Sequence, residues 1–179
     1  TQDSSSAASD VYKRQNEMFN KCIKSKPSPI YSKSFIKRIK LGNFDDDISK
    51  IKSADWIIEV VVEKLEIKQK VFDLIEKHRT PGTIVTSNTS GIPIKLMSKG
   101  RSDDFNKNFA ITHFFNPPRY LNLFEVIPSP NCDKHLISFL LKYGEKYLGK
   151  TSILAKDTPA FIGNRIGTFG IPVSYTHLT

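Results

Sequence analysis

The sequence predicts an α/β fold built on a mostly parallel sheet. Two observations carry that reading. From Asp55 onward, short runs rich in β-branched and aromatic residues alternate with segments of helical periodicity. Such alternation belongs to parallel-sheet architectures. The first run, Asp55-Trp56-Ile57-Ile58-Glu59-Val60-Val61-Val62, is apolar almost throughout, the pattern of a strand covered on both faces.

Taken in order, Thr1 to Gln15 is polar and Ser/Ala-rich with no periodicity, and reads as a non-native leader. Pro172 to Thr179 fails to continue what precedes it and reads as a non-native tail; ordinary disordered termini are the alternative for both. Asn16 to Lys26 predicts a short helix, with Met18, Phe19, Cys22 and Ile23 near one face, closed by Pro27-Ser28-Pro29. Ser34 to Lys40 is short helix or strand. Asp45, Asp46 and Asp47 open a further short helix, since acids suit a helix N-terminus.

After the Asp55–Val62 strand, Leu65 to His78 is an amphipathic helix and Thr83 to Ser87 the next strand, ending at Asn88-Thr89-Ser90. A helix follows near Ile94 to Lys99, then strands over Phe109 to Phe115 and Leu121 to Ile127. Lys134 to Leu148 is a helix with Gly149 as its stop, and Thr151 to Ala155 a last strand. Asp157-Thr158-Pro159 reads as an N-cap followed by proline at the first helical position.

The chain has 179 residues, 39% hydrophobic and 25% charged, a globular balance without a membrane span or an apolar secretory leader. Cys22 and Cys132 stand far apart, which argues against a disulfide scaffold or a zinc site and fits a reducing, cytoplasmic setting. The net charge is +9 with lysines spread along the chain. That favours a solvated basic surface over a nucleic-acid-binding face, and a polyphosphate ligand would suit the same field.

Chemistry concentrates at Ile111 to Pro128. His113 and Glu125 lie twelve residues apart on two predicted strands separated by Asn116-Pro117-Pro118. A strand, a turn and a returning strand can set the carboxylate against one imidazole nitrogen and leave the other to take a proton. A core histidine with a rim glutamate is the plainer alternative. Ligands of open α/β sheets bind beyond the carboxyl ends of the strands. There the sequence places Glu63 with Lys68, Asn88 with Ser90, and His113 with Asn116. Together they would make a proton-transfer site for a small oxygen-bearing substrate. Glu63 and Lys68 could equally be a surface ion pair, and Asn88-Thr89-Ser90 a turn capping a helix.

Four motifs in order carry a resemblance: Ile58-Glu59-Val60-Val61-Val62-Glu63, Ser87-Asn88-Thr89-Ser90, His113-Phe114-Phe115-Asn116-Pro117, and Lys156-Asp157-Thr158-Pro159 through Asn164-Arg165-Ile166. From Asn16 to Ile171 the chain resembles the 3-hydroxyacyl-CoA dehydrogenase family. Its Asn-Pro-Pro-Arg-Tyr-Leu loop is similar to the subgroup fused to an enoyl-CoA hydratase in fatty-acid β-oxidation.

The resemblance implies a partial Rossmann-type doubly wound sheet lacking its first βαβ unit. It implies a truncated NAD-binding domain over residues 16–155 and the start of a helical C-terminal dimerisation and substrate domain over 156–171. It also implies oxidation of (S)-3-hydroxyacyl-CoA to 3-oxoacyl-CoA with NAD. His113 is then the base, Glu125 its partner, Ser90 a donor to the reacting oxygen, and Asn116 a support for histidine and substrate. Asn164 completes the substrate pocket, and Glu63, Lys68 and Asn88 lie on the cofactor side. The parent would be a homodimer or part of a multifunctional β-oxidation enzyme.

Departures matter. No Gly-x-Gly-x-x-Gly occurs anywhere in the sequence, and the acid that binds the adenosine ribose in the family has no counterpart. The 179 residues are therefore expected to bind NAD poorly and not to turn over. Ala160 and Gly163 replace the family's Gly and Val, and Gly163 is expected to weaken its helix. Two other classes compete: a two-domain hydroxyacid dehydrogenase with a lysine base on the interdomain helix, and a non-enzymatic basic binding module. The latter predicts no convergence of Ser90, His113, Asn116 and Glu125.

Overall fold

The computed structural model describes the backbone of residues 2–177 and the exposure of residues 12–170. One sheet holds β1 (Trp56–Glu59), β2 (Ile84–Ser87), β3 (Phe109–Phe114), β4 (Leu123–Pro128) and β5 (Thr151–Leu154), in that spatial order. β1, β2 and β3 run parallel, β4 returns antiparallel to β3, and β5 is parallel to β4. The helices are α1 (Gln2–Ile23), α2 (Leu65–His78), α3 (Ile94–Ser98), α4 (Asp103–Lys107), α5 (Lys134–Leu148) and α6 (Gly163–His177). This is the partial Rossmann-type α/β sheet that the sequence predicts, and α2 and α5 begin and end where the periodicity places them. No helix among the described residues is long and apolar enough to cross a membrane.

Strand alternation sorts the core into two layers. Phe109, Ile111 and Ile127 point toward α2, α3 and α4, where Phe72, Ile75, Ile94, Met97 and Phe105 are buried with them. Phe72, Phe105 and Phe109 meet with ring centroids 4.9–5.7 Å apart. Fully burying one such ring contributes roughly 1.5–3 kcal/mol. The other layer holds Ala110, Phe124 and Val126 against Leu136 and Leu140 of α5. α5 ends as expected, with Gly149 at φ 62°, a conformation that a side chain would strain.

Four expectations change. β1 is shorter than Asp55–Val62 and lies at the sheet's edge; its α5 side is covered at Trp56 by Tyr143, but Ile58 two residues on is 41% exposed. The 34–40 and 45–47 segments do lead into short helices, but of the 3-10 type, Lys33–Arg38 and Ile48–Ser53. α1 starts at Gln2, ahead of Asn16, and its Tyr12 hydroxyl and Gln15 amide donate to Asp47 and to the Gly42 carbonyl. Asp157 does not cap the last helix: its carboxylate accepts from Ile94 N at 3.1 Å, and α6 begins only at Gly163 and runs through Pro172 to His177.

Candidate active site

The β3–β4 register pairs His113 directly with Glu125. Residues opposite each other in an antiparallel pair share a face, and this face is the one packed by α2 and α3. His113 is 3% exposed and Glu125 is fully buried. His113 Nδ1 lies 2.7 Å from Glu125 Oε2. A carboxylate at this position accepts, so a neutral imidazole here would carry its proton on Nδ1 and leave Nε2 bare. Nε2 in turn accepts from the Ser90 hydroxyl at 3.2 Å. Ser90 is exposed on the rim, so the bare nitrogen faces the open side of the sheet. The rings of Phe115 and Phe161 flank the imidazole at 4.5 and 5.5 Å, which limits how it can turn.

Glu125 has a second clasp that sequence reading missed. Its Oε1 accepts from the backbone N–H groups of Ile162 at 2.9 Å and Gly163 at 2.7 Å, at the entry to α6. Unsatisfied N–H groups and the helix dipole favour negative charge at such an end. A buried carboxylate is costly unless its oxygens are paired, and here one oxygen holds the imidazole while the other holds the helix.

Beyond β1 stands a second constellation. Glu63 and Lys68 do pair, at 3.3 Å, but Lys68 is 1% exposed rather than on the surface. Its ammonium donates to both oxygens of Glu59, at 2.9 and 3.0 Å, and to the Val61 carbonyl. Glu59 also accepts from the Ser87 hydroxyl at 2.6 Å and from Val61 N at 2.6 Å. Glu59 was not singled out from the sequence, although an acid inside an otherwise apolar strand was the available signal. Glu63 Oε1 accepts from the Thr89 hydroxyl, from Ser90 N at 3.1 Å and from Gly91 N at 3.2 Å. Partial burial opposes ionisation of Glu63, but the Thr89 hydroxyl, Lys68 and Ser90 N–H outweigh it and hold the carboxyl below its ordinary value of 4.5.

Asn88 joins strands: its Oδ1 accepts from Phe114 N at 2.9 Å and its own N–H donates to the Glu59 carbonyl. Ser90, His113 and Glu125 thus converge, against the expectation of a plain binding module. Asn116 is exposed just past β3, and Asn164 is half-buried in the first turn of α6. Among the described residues neither side chain hydrogen-bonds to the His113–Glu125 pair. α6 carries no lysine that could serve as an alternative base.

The chain is similar to several known proteins. The family described as "3-hydroxyacyl-CoA dehydrogenase, NAD binding domain" matches residues 2–158. A "Probable 3-hydroxyacyl-CoA dehydrogenase" of Bacillus subtilis is 50% identical over 174 residues, which is 97% of this chain and 22% of that protein. A protein of the same description from Deinococcus radiodurans is 39% identical over 158 residues, 88% of this chain and 46% of its own length. The crystal structure of (S)-3-hydroxybutyryl-CoA dehydrogenase from Ralstonia eutropha superposes with a TM-score of 0.67 at 25% identity, covering 90% of this chain and 54% of that one. The chain therefore spans less than half the length of these two curated relatives. On the matched residues and the architecture together, the chain belongs to the 3-hydroxyacyl-CoA dehydrogenase family, as its NAD-binding domain.

Proposed function

We propose that this chain carries the proton-transfer half of an NAD-dependent 3-hydroxyacyl-CoA dehydrogenase, oxidising (S)-3-hydroxyacyl-CoA to 3-oxoacyl-CoA in fatty-acid β-oxidation. The observation that carries the reading is the split pairing of His113, Nδ1 on buried Glu125 and Nε2 on exposed Ser90. In the proposed step, Nε2 takes the proton of the 3-hydroxyl while hydride leaves C3 and the C=O bond forms. Glu125, buried and anchored through both oxygens, would stabilise the imidazolium as it appears. Ser90 would release Nε2 and turn its hydroxyl to the reacting oxygen. Asn116 and Asn164 flank that opening and are the proposed substrate contacts.

NAD, when bound, supplies the hydride acceptor. The residues present fit only its reactive end. Glu63, partly exposed and kept ionised at the rim beside Ser90, and Asn88 beside it are the proposed contacts. The Lys68 ammonium is already enclosed by Glu59, Val61 and Glu63, so we place Lys68 behind Glu63 rather than against the cofactor. No glycine-rich phosphate turn occurs in this sequence. We therefore assign turnover to the longer parent, with a cytoplasmic setting. A homodimer or a multifunctional β-oxidation enzyme is the assembly proposed for that parent.

The test is His113→Gln in the parent-length enzyme. Turnover of a 3-hydroxyacyl-CoA should fall about 10²–10⁴-fold with little change in KM, because a general base is lost and binding is not. Near-normal turnover by that variant would sink the role given to His113.

A further inference from the structure

The turn after β2 carries two hydroxyl side chains in succession, and only Ser90 reaches the imidazole, at 3.2 Å. Thr89 is fully buried, and its hydroxyl donates to Glu63 Oε1. The same hydroxyl oxygen accepts from Ile92 N at 3.1 Å. The same Glu63 oxygen accepts from Ser90 N at 3.1 Å and Gly91 N at 3.2 Å. Thr89 N in turn donates at 3.2 Å to Ser87 Oγ, whose own hydroxyl donates to Glu59. The backbone around Ser90 is therefore held by one carboxylate oxygen, and Thr89 is the side chain of the turn that binds it. None of these bonds uses the Ser90 hydroxyl, which stays available to His113.

A hydroxyl is what this position needs. An O–H donor sits about 2.7–2.8 Å from its acceptor, whereas a methyl group stands off at about 3.3–3.6 Å. A methyl in place of the Thr89 hydroxyl would push Glu63 away from the turn and leave Ile92 N without its acceptor. The Ser90 and Gly91 N–H groups share that carboxylate oxygen and would be displaced with it. Ser90 holds Nε2 by a single bond, and a shift of roughly half an ångström takes such a bond out of hydrogen-bonding range.

We propose that Thr89 is a positioning residue for the proton-transfer site: its hydroxyl docks the 89–92 turn on Glu63 and so sets Ser90 on Nε2 of His113. The relevance to catalysis rests on the reading of His113 given above; the physical coupling does not, and the test reads it without turnover.

The test is nitrogen-15 NMR of His113 Nε2 in the full 179-residue chain, above the titration of the ring, with far-UV circular dichroism to report folding. Ser90→Ala calibrates the displacement of the resonance that loss of the hydroxyl bond produces. Thr89→Val should reproduce that displacement, and Thr89→Ser should leave the resonance in place. Thr89→Val added to Ser90→Ala should move it no further. A folded Thr89→Val chain with an unmoved resonance overturns the proposal. So does a movement that adds to that of Ser90→Ala, because Thr89 would then not act through Ser90. If Ser90→Ala itself moves nothing, there is no bond for Thr89 to set, and the proposal falls as well. If Thr89→Val does not fold, Glu63→Ala removes the same contact from its other end, where the side chain is 45% exposed. That chain must fold and show the Ser90→Ala displacement; failing either counts equally against the assignment.

Discussion

Two buried carboxylates stand at the same rim, and they differ in what faces them. Glu59 meets a lysine whose ammonium is surrounded by Glu59, Glu63 and the Val61 carbonyl. Glu125 meets an imidazole with one nitrogen pointing outward to an exposed hydroxyl. A lysine enclosed by acceptors has no open side and ties β1 to α2. A histidine changes charge near neutrality, so the second pair can accept a proton and return it. Burial and pairing alone therefore do not mark a reactive acid; the partner's titration and its open side do.

Backbone geometry follows the same division. Ala160 at φ 62° and Phe161 at φ 48° are in the left-handed region that side chains disfavour, and both belong to the turn beside His113. Such strain persists where surrounding contacts hold it. Here those contacts are the two N–H bonds to Glu125 and the burial of Phe161.

The comparison breaks most visibly at Lys68. Lys68→Met leaves Glu59 buried without its cation and should cost about 3–5 kcal/mol, read from the urea midpoint of the 179-residue chain. Lys68→Met combined with Glu59→Leu should recover much of that loss. A single variant within about 1 kcal/mol of the parent would mean that the network is not the anchor described. A smaller effect is expected on the other side. Ala160→Gly relieves a left-handed alanine and should stabilise the chain by about 1 kcal/mol, provided the gain exceeds the added unfolded-state entropy. Destabilisation would show that the turn is not strained at that residue.

The smallest effect concerns Glu63, whose carboxyl is held below 4.5. Because the folded value is the lower one, its contribution is present above the unfolded value and fades as pH falls through the folded one. Glu63→Gln should therefore flatten the acid limb of stability against pH, below about pH 4.5, and leave its slope at neutral pH unchanged. An identical acid limb in the two proteins would remove Glu63 from the network's account.

The fold was legible where a pattern had only one outlet. The twelve-residue spacing of His113 and Glu125 across Asn116-Pro117-Pro118 fits an antiparallel return, and the register realises it. Leu65–His78 and Lys134–Leu148 had enough turns for periodicity to fix both ends. The helix at Asp103–Lys107 escaped, although Ser102 caps it by accepting from Phe105 N and two acids follow. Asp157 was misread because its cap signal is local, while the N–H it satisfies belongs to Ile94, far away in sequence. Glu59 escaped because its partners Lys68 and Ser87 become neighbours only after β1, β2 and α2 assemble. Gly163 read as a glycine inside a helix, whereas it is the first residue of α6.

The central claim is an imidazole with its proton fixed on the acid side and its other nitrogen bare. Nitrogen-15 NMR of His113 in the 179-residue chain measures this directly. The account predicts a single neutral tautomer above its titration, protonated at Nδ1, that becomes mixed when Glu125 is changed to Gln. A tautomer protonated at Nε2, or an unbiased mixture in the unaltered chain, would contradict it.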